Sequence, residues 1–136
     1  MTSVVEEKIA AFLHSGPFAV VGASVDRSKY GNKVLRCYQQ HGKEVSPINP
    51  RATEVEGLRA YPSLGSLPVK PKAISVITPP AITEQVVREA AAAGVTHIWM
   101  QPGAESEAAI RRAESLGMSV IAGGPCLLVV LGYRES

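Results

Sequence analysis

A chain of 136 residues fits one domain and holds enough apolar material to build a core without disulfide or metal staples. Apolar residues make up 46% of it and charged residues 19%; a net charge of +2 with no basic run, and only 5% aromatics, argue against a nucleic-acid surface. Cys37 and Cys126 form no disulfide framework, and Glu6, Glu7 and Lys8 stand where a signal peptide needs an apolar run. Leu127 to Leu131 is too short to cross a bilayer, so a soluble, cytoplasmic protein is expected.

In chain order, Ser3 and Glu6 make a capping-box pattern for a helix through about Leu13. Val5, Ile9, Phe12 and Leu13 form its buried stripe, and Gly16-Pro17 stops it. Residues 1–16 read as this N-terminal helix and 17–136 as the core, together a single domain over 1–136. Phe18 to Val21 is continuously apolar, the pattern of a buried parallel strand, and it runs into the small-residue turn Gly22-Ala23-Ser24. After a polar loop, a helix from about Gly31 to Gln40 buries Val34, Leu35 and Tyr38, with Gly42 as its C-cap. A second strand, Glu44 to Ile48, ends in Asn49-Pro50-Arg51. Residues 52–72 are rich in turns, with room for a short strand near Arg59 to Tyr61 and one helical turn near Ser63 to Leu67.

Ala73 to Thr78 is again apolar and runs into Pro79-Pro80. A helix opened by Thr83 and Glu84 turns Val86, Val87, Ala90 and Ala91 inward and stops at Gly94. His97 to Met100 is the next strand, followed by Gln101-Pro102-Gly103. Ser106 to Leu116 is a helix burying Ala109, Ile110, Ala113 and Leu116, with Gly117 as its cap. Met118 to Ala122 is the last strand, and Gly123-Gly124-Pro125 leads into the apolar tail Cys126 to Leu131.

Strand and helix alternating at close intervals require right-handed crossovers and a mainly parallel sheet. The fold class is α/β, a Rossmann-like doubly wound sheet with helices on both faces. In such sheets ligands bind outside the carboxyl ends of the strands. Gly22, Ala23 and Ser24 put no bulk between backbone N–H groups and a diphosphate, and the helix beyond points its positive end at the same spot. Gly22 should tolerate no side chain, because a Cβ there would meet that diphosphate or force the turn. Only one glycine of the G-x-G-x-x-G fingerprint is present, so the turn alone also reads as a tight turn without a ligand. An NAD site places Asp or Glu after the second strand, whereas this chain has Pro50-Arg51. A cation there suits an extra phosphate, the 3′-phosphate of coenzyme A or the 2′-phosphate of NADP; the other reading of Arg51 is a solvated loop cation.

Taken together, Val20-Val21-Gly22-Ala23-Ser24 with Gly31, the strand Val45 to Pro50, Ala73 to Pro80, Trp99-Met100-Gln101-Pro102-Gly103 and Gly124-Pro125-Cys126 carry a specific resemblance. From Phe18 to Leu131 the chain resembles the CoA-binding domain family, whose members are similar to the N-terminal domain of the succinyl-CoA synthetase α-subunit. The resemblance implies a Rossmann-like domain whose cofactor is coenzyme A. It implies that Gly22, Ala23 and Ser24 hold the diphosphate and that Pro50 and Arg51 flank the adenosine and its 3′-phosphate. By the same resemblance Thr78 and Pro79 line the nucleotide cleft, Met100 and Gln101 the pantetheine path, and Cys126 lies toward the pantetheine end.

Ligases of that family add a domain with a phosphorylatable histidine and a nucleotide-grasping subunit, and the 136 residues here correspond to the first domain. His14, His41 and His97 fall at helix ends and a strand start, where they read as surface or packing residues. No Cys/His spacing suits zinc, and nothing supplies a general base beside the turn, so neither catalytic nor metal-ligating residues are expected. The expected function is a stand-alone binder of coenzyme A or acyl-CoA, without nucleic acid or membrane as partner. Partners expected besides the small molecule are a second copy in a homo-oligomer or a ligase chain. Alternatives are a subunit acting in trans with a CoA ligase and an NADP-binding oxidoreductase fragment. The last lacks a Tyr-x-x-x-Lys set. Pro125 at a first helical position would put Cys126 in the first turn of a short helix. There its thiol reads either as a partner for the CoA thiol in a mixed disulfide or as a small packed residue.

Overall fold

Residues 3–135 are described by a computed structural model. Helix α1 spans Val4–Leu13, strand β1 Phe18–Val21, helix α2 Tyr30–Gln40 and strand β2 Val45–Ile48. A small hairpin follows, β3 (Glu54–Val55) and β4 (Leu58–Arg59), then a 3₁₀ turn at Leu64–Ser66. The rest is β5 (Ala73–Val76), α3 (Pro80–Ala92), β6 (His97–Met100), α4 (Glu107–Ser115), β7 (Ser119–Ile121) and α5 (Leu127–Leu131).

Five strands form one parallel sheet in the order β2-β1-β5-β6-β7. Phe18 is in register with Val45 on one side and Ala73 on the other, and Val76 with Met100. β1 and β5 lie inside the sheet with every residue buried, which accounts for their apolar character; the one polar residue, Ser75 of β5, has its hydroxyl 2.6 Å from that of buried Tyr38. Alternate residues face opposite layers. Ala19, Val21, Ile74, Val76, Ile98 and Met100 pack against Val86, Val87 and Ala90 of α3 and Ala109 and Ala113 of α4. Phe18, Val20, Ala73 and Trp99 pack against Phe12 of α1, Val34, Leu35 and Tyr38 of α2, and Leu127 of α5. The sheet is therefore wound on both faces. From β1 the chain moves outward to β2, then returns past β1 to build β5, β6 and β7 on the other side. The direction reverses between β1 and β5, and a crevice opens at such a reversal.

Both edges of the sheet carry a covering group. Outside β2, Tyr61 donates its N–H to the Pro47 carbonyl at 3.1 Å and accepts from the Asn49 N–H at 2.9 Å. Outside β7, Lys8 of α1 reaches the Val120 carbonyl with its ammonium at 3.2 Å.

Several boundaries differ from the sequence expectation. α3 begins at Pro80 with Pro79 as N-cap, one turn ahead of Thr83, because proline fits a first helical position that needs no N–H. Thr83 is fully buried, its hydroxyl 2.7 Å from that of Thr78. Leu116 is the C-cap of α4, off the apolar face, and is 46% exposed. Val5 is 47% exposed, because Phe12, near the far end of α1, is the residue that helix buries. Cys126 is the N-cap of α5, whose first residue is Leu127, so it lies just outside the helical turn in which Pro125 was expected to place it.

Candidate functional site

The end of β1 is shaped by two glycines. Gly22 has φ +95°, and a Cβ there would collide with the carbonyl of Ile77, which continues β5. Ile77 in turn donates its N–H to Val21 at 2.8 Å, so the two strand ends stay zipped at the reversal point. The neighbouring backbone by itself already bars a side chain at Gly22. Gly31, in the first turn of α2, sits against the Gly22 carbonyl, where any Cβ would overlap the oxygen. The absence of two β-carbons lets the start of α2 rest on the turn after β1.

A cleft of about 410 Å³ opens there, lined by Gly22, Ala23, Ser24, Lys29, Tyr30, Gly31, Asn49 and Ile77. No side chain caps α2, whose N-cap is Lys29, so its positive end faces the cleft together with a lysine. Asn49 joins the two sides. It donates from Nδ2 to the Ala23 carbonyl at 2.8 Å and accepts on Oδ1 from the N–H groups of Arg51 and Ala52 at 2.8 and 2.9 Å. This Asx turn fixes the backbone at Pro50 and Arg51, both exposed, directly after Asn49 of the cleft lining. The Arg51 guanidinium makes no hydrogen bond or ion pair among the described residues.

The loop between β1 and α2 is held from within and behind. Ser24 Oγ accepts the Asp26 N–H at 3.1 Å, which leaves the hydroxyl proton free to donate. Asp26 accepts from the Ser28 N–H and hydroxyl at 2.9 and 2.7 Å, and these bonds hold its carboxyl below the usual range. Behind the loop, buried Asn32 donates to the Ser24 carbonyl at 2.8 Å and to Glu56 at 3.0 Å. Buried Arg36 donates to Asn32 Oδ1 at 2.7 Å and to the Arg27 carbonyl at 2.8 Å. Glu56, at the tip of the β3–β4 hairpin with φ +48°, also pairs with Arg27. The Asn32 hydrogen bond, then the Arg27 and Arg36 charges, outweigh desolvation and lower its carboxyl pKa.

Toward β6 and β7 a second group gathers. Gln101, fully buried at the end of β6, accepts on Oε1 from the Tyr30 hydroxyl and from the Leu127 N–H, each at 3.0 Å. Its Nε2 is buried with no hydrogen-bond partner. The Tyr30 hydroxyl also lies 2.7 Å from Cys126 Sγ. Desolvation first, then the Cys126 hydrogen bond, holds that phenol well above the ordinary tyrosine range. Cys126 is half-buried, whereas Cys37 is fully buried on the inner face of α2, where burial and then Cys126 push its thiol up to about 11. The Pro125 carbonyl is fixed by the Trp99 indole N–H at 3.0 Å.

The structure brings Gly22, Ala23 and Ser24 together in the cleft, whereas Pro50 and Arg51 are exposed, follow the lining residue Asn49 in the chain and are not themselves among the lining residues. Thr78 is half-buried and tied to Thr83, and Pro79 is exposed at the start of α3. Met100 is fully buried in the layer under α3 and α4, so its side chain packs in the core beside the end of β6. Lys29, Tyr30 and Asn32 were not singled out from the sequence. The adjacency of Lys29 and Tyr30 to Gly31, at a helix start beside the turn, was the available signal for two of them. His97, pushed down by burial, lies at the other end of β6 from Gln101. Among the described residues no group of three or more His, Cys, Asp or Glu is arranged to hold a metal ion. None of the described helices is long and apolar enough to cross a membrane.

The chain is similar to the α-subunit of an ADP-forming acetate–CoA ligase from Pyrococcus furiosus, 32% identical over 85 residues, which are 62% of this chain. It spans 19% of that relative's length. Among solved structures, a hypothetical protein from Pyrococcus horikoshii superposes with a TM-score of 0.87 at 27% identity, over 93% of this chain and 89% of that one. A conserved hypothetical protein from Pyrococcus furiosus superposes with a TM-score of 0.78 at 42% identity, over 83% and 97%. Residues 17–132, the whole sheet with the cleft at its reversal point, match the CoA binding domain, and the chain belongs to that family.

Proposed function

We propose that this chain binds coenzyme A in the cleft at the β1/β5 reversal. The diphosphate lies over Gly22, Ala23 and Ser24 at the uncapped start of α2, with Lys29 beside it. Pro50 and Arg51 flank the adenosine and its 3′-phosphate, Thr78 and Pro79 edge the nucleotide half, and the pantetheine arm runs past the end of β6 at Met100 and Gln101 toward Cys126. The observation that carries this reading is the cleft itself. It has a turn of small residues, Gly22-Ala23-Ser24, beside the uncapped start of α2, and its lining residue Asn49 holds the N–H of Arg51, an arginine in place of a carboxylate after β2. Family membership supports coenzyme A over NADP as the phosphorylated nucleotide. Two free thiols suit a reducing compartment such as the cytoplasm.

Two superposable proteins of nearly this size support a stand-alone binder or carrier. A second reading rests on the ligase relative, of which this chain spans 19%: the chain supplies the CoA-binding part of a ligase whose other parts are separate. Isothermal titration with CoA, NADP and NAD tests the binding. CoA should bind tightest, and NAD binding as tightly as CoA overturns the proposal. Co-purification of a ligase chain with this protein at fixed stoichiometry favours the second reading.

A further inference from the structure

The phenol of Tyr30 links the cleft after β1 to the loops after β6 and β7. Its residue opens α2 beside the end of β1 and lines the nucleotide-side cavity. Its hydroxyl meets Gln101, after β6, and Cys126, after β7. Neighbouring strands in a sheet lie about 4.8 Å apart, so β1 and β6 are separated by the width of β5, roughly 10 Å. A side chain rooted at α2 that reaches both later loops therefore spans the top of β5. An extended ligand laid from the turn after β1 toward Cys126 must pass the same place.

We infer that Tyr30 is the residue that sets how far into the cleft a ligand reaches: its ring closes the passage between the nucleotide half and the Gln101–Cys126 half, and a pantetheine arm displaces it where a bare nucleotide does not. This rests on the CoA reading above. Three features make the closure reversible. Gln101 Oε1 keeps the Leu127 N–H at 3.0 Å when the phenol leaves, so opening strands no buried acceptor. Gln101 Nε2 is buried without a partner, a donor left unused in the closed arrangement. Tyr30 itself is only half-buried, so its hydroxyl can exchange Gln101 and Cys126 for water or for a ligand amide. The hydroxyl is protonated at neutral pH in both arrangements: desolvation and Cys126 hold it above the ordinary tyrosine range when closed, and a solvated phenol, with a pKa of about 10, keeps its proton when open. The gate is thus a pair of hydrogen bonds that only the longer ligand has to break.

Tyr30→Phe keeps the ring and removes both bonds. Calorimetry and stopped-flow mixing with two ligands separate the cases: CoA, and adenosine 3′-phosphate 5′-diphosphate, which is the same nucleotide without the arm. The variant should bind CoA at least about threefold more tightly, chiefly through a faster association rate, since one or two neutral hydrogen bonds no longer have to be broken. The Kd of the nucleotide should stay within about twofold of the parent. If both ligands change in parallel, or neither changes, Tyr30 does not divide the cleft and the inference falls while CoA binding stands. If CoA alone weakens, the hydroxyl contacts the ligand instead of barring it, and the inference also falls. If neither ligand binds the unaltered protein, the CoA reading fails and takes this one with it.

Discussion

Arg51 is placed by a neighbour rather than by its own side chain. Asn49 holds the Arg51 N–H while leaving the residue exposed. A charge-assisted bond to a 3′-phosphate at so open a position is partly screened by water, which puts its contribution at about 1–1.5 kcal/mol. Arg51→Ala should therefore weaken CoA roughly tenfold while leaving dephospho-CoA unchanged, as read by titration of both ligands. Equal losses for the two would show that Arg51 acts on something other than the 3′-phosphate. Residue-level legibility was uneven for a physical reason. Gly22 and Arg51 offer backbone freedom and fixed charge, which a residue type declares. Tyr30 acts through partners 71 and 96 positions away, which no local pattern displays.

The β1–α2 unit depends on two missing β-carbons. Both Gly22 and Gly31 would drive a methyl into a backbone carbonyl, and backbone cannot turn aside as a side chain can. Gly31→Ala should cost about 1–3 kcal/mol by overpacking, and Gly22→Ala at least as much, since its positive φ adds strain. Gly65→Ala, with nothing within 4 Å of the new methyl, should stay within about 0.5 kcal/mol of the parent. Urea midpoints would rank the three. The β3–β4 hairpin is fastened to the same unit through Glu56. Its carboxyl is held below the ordinary value of 4.5, so its contribution is complete above that pH and is lost as pH falls through the lowered value. Glu56→Gln should lose about 1 kcal/mol at pH 7. Its stability should then fall less steeply than the parent's between about pH 5 and 3. Parallel curves would assign the acid sensitivity elsewhere. Elements with a strong apolar period, such as α2 and the inner strands, were legible in the sequence. α3 was misplaced by one turn because Thr83 looks like a cap but is a buried residue answering Thr78.

At the scale of the whole molecule, the alternation of strands and helices fixed the class of fold, and the reversal between β1 and β5 fixed where a ligand could lie. The turn Gly22 to Ser24 was readable because it is contiguous. Gln101 and Cys126 were reached only through the family resemblance, and their convergence with Leu127 and Tyr30 was not readable, because it forms only after two more crossovers have been laid down. The sheet's borders bear on how copies of the protein can meet. On one side Pro47 offers no N–H, and its carbonyl is already taken by Tyr61. On the other, an ammonium from α1 sits on Val120. A second chain cannot simply add itself as a sixth strand, so self-association would have to proceed through helix faces or loops. Fibril-like stacking, the hazard of a bare parallel sheet, is obstructed at both ends of the ladder.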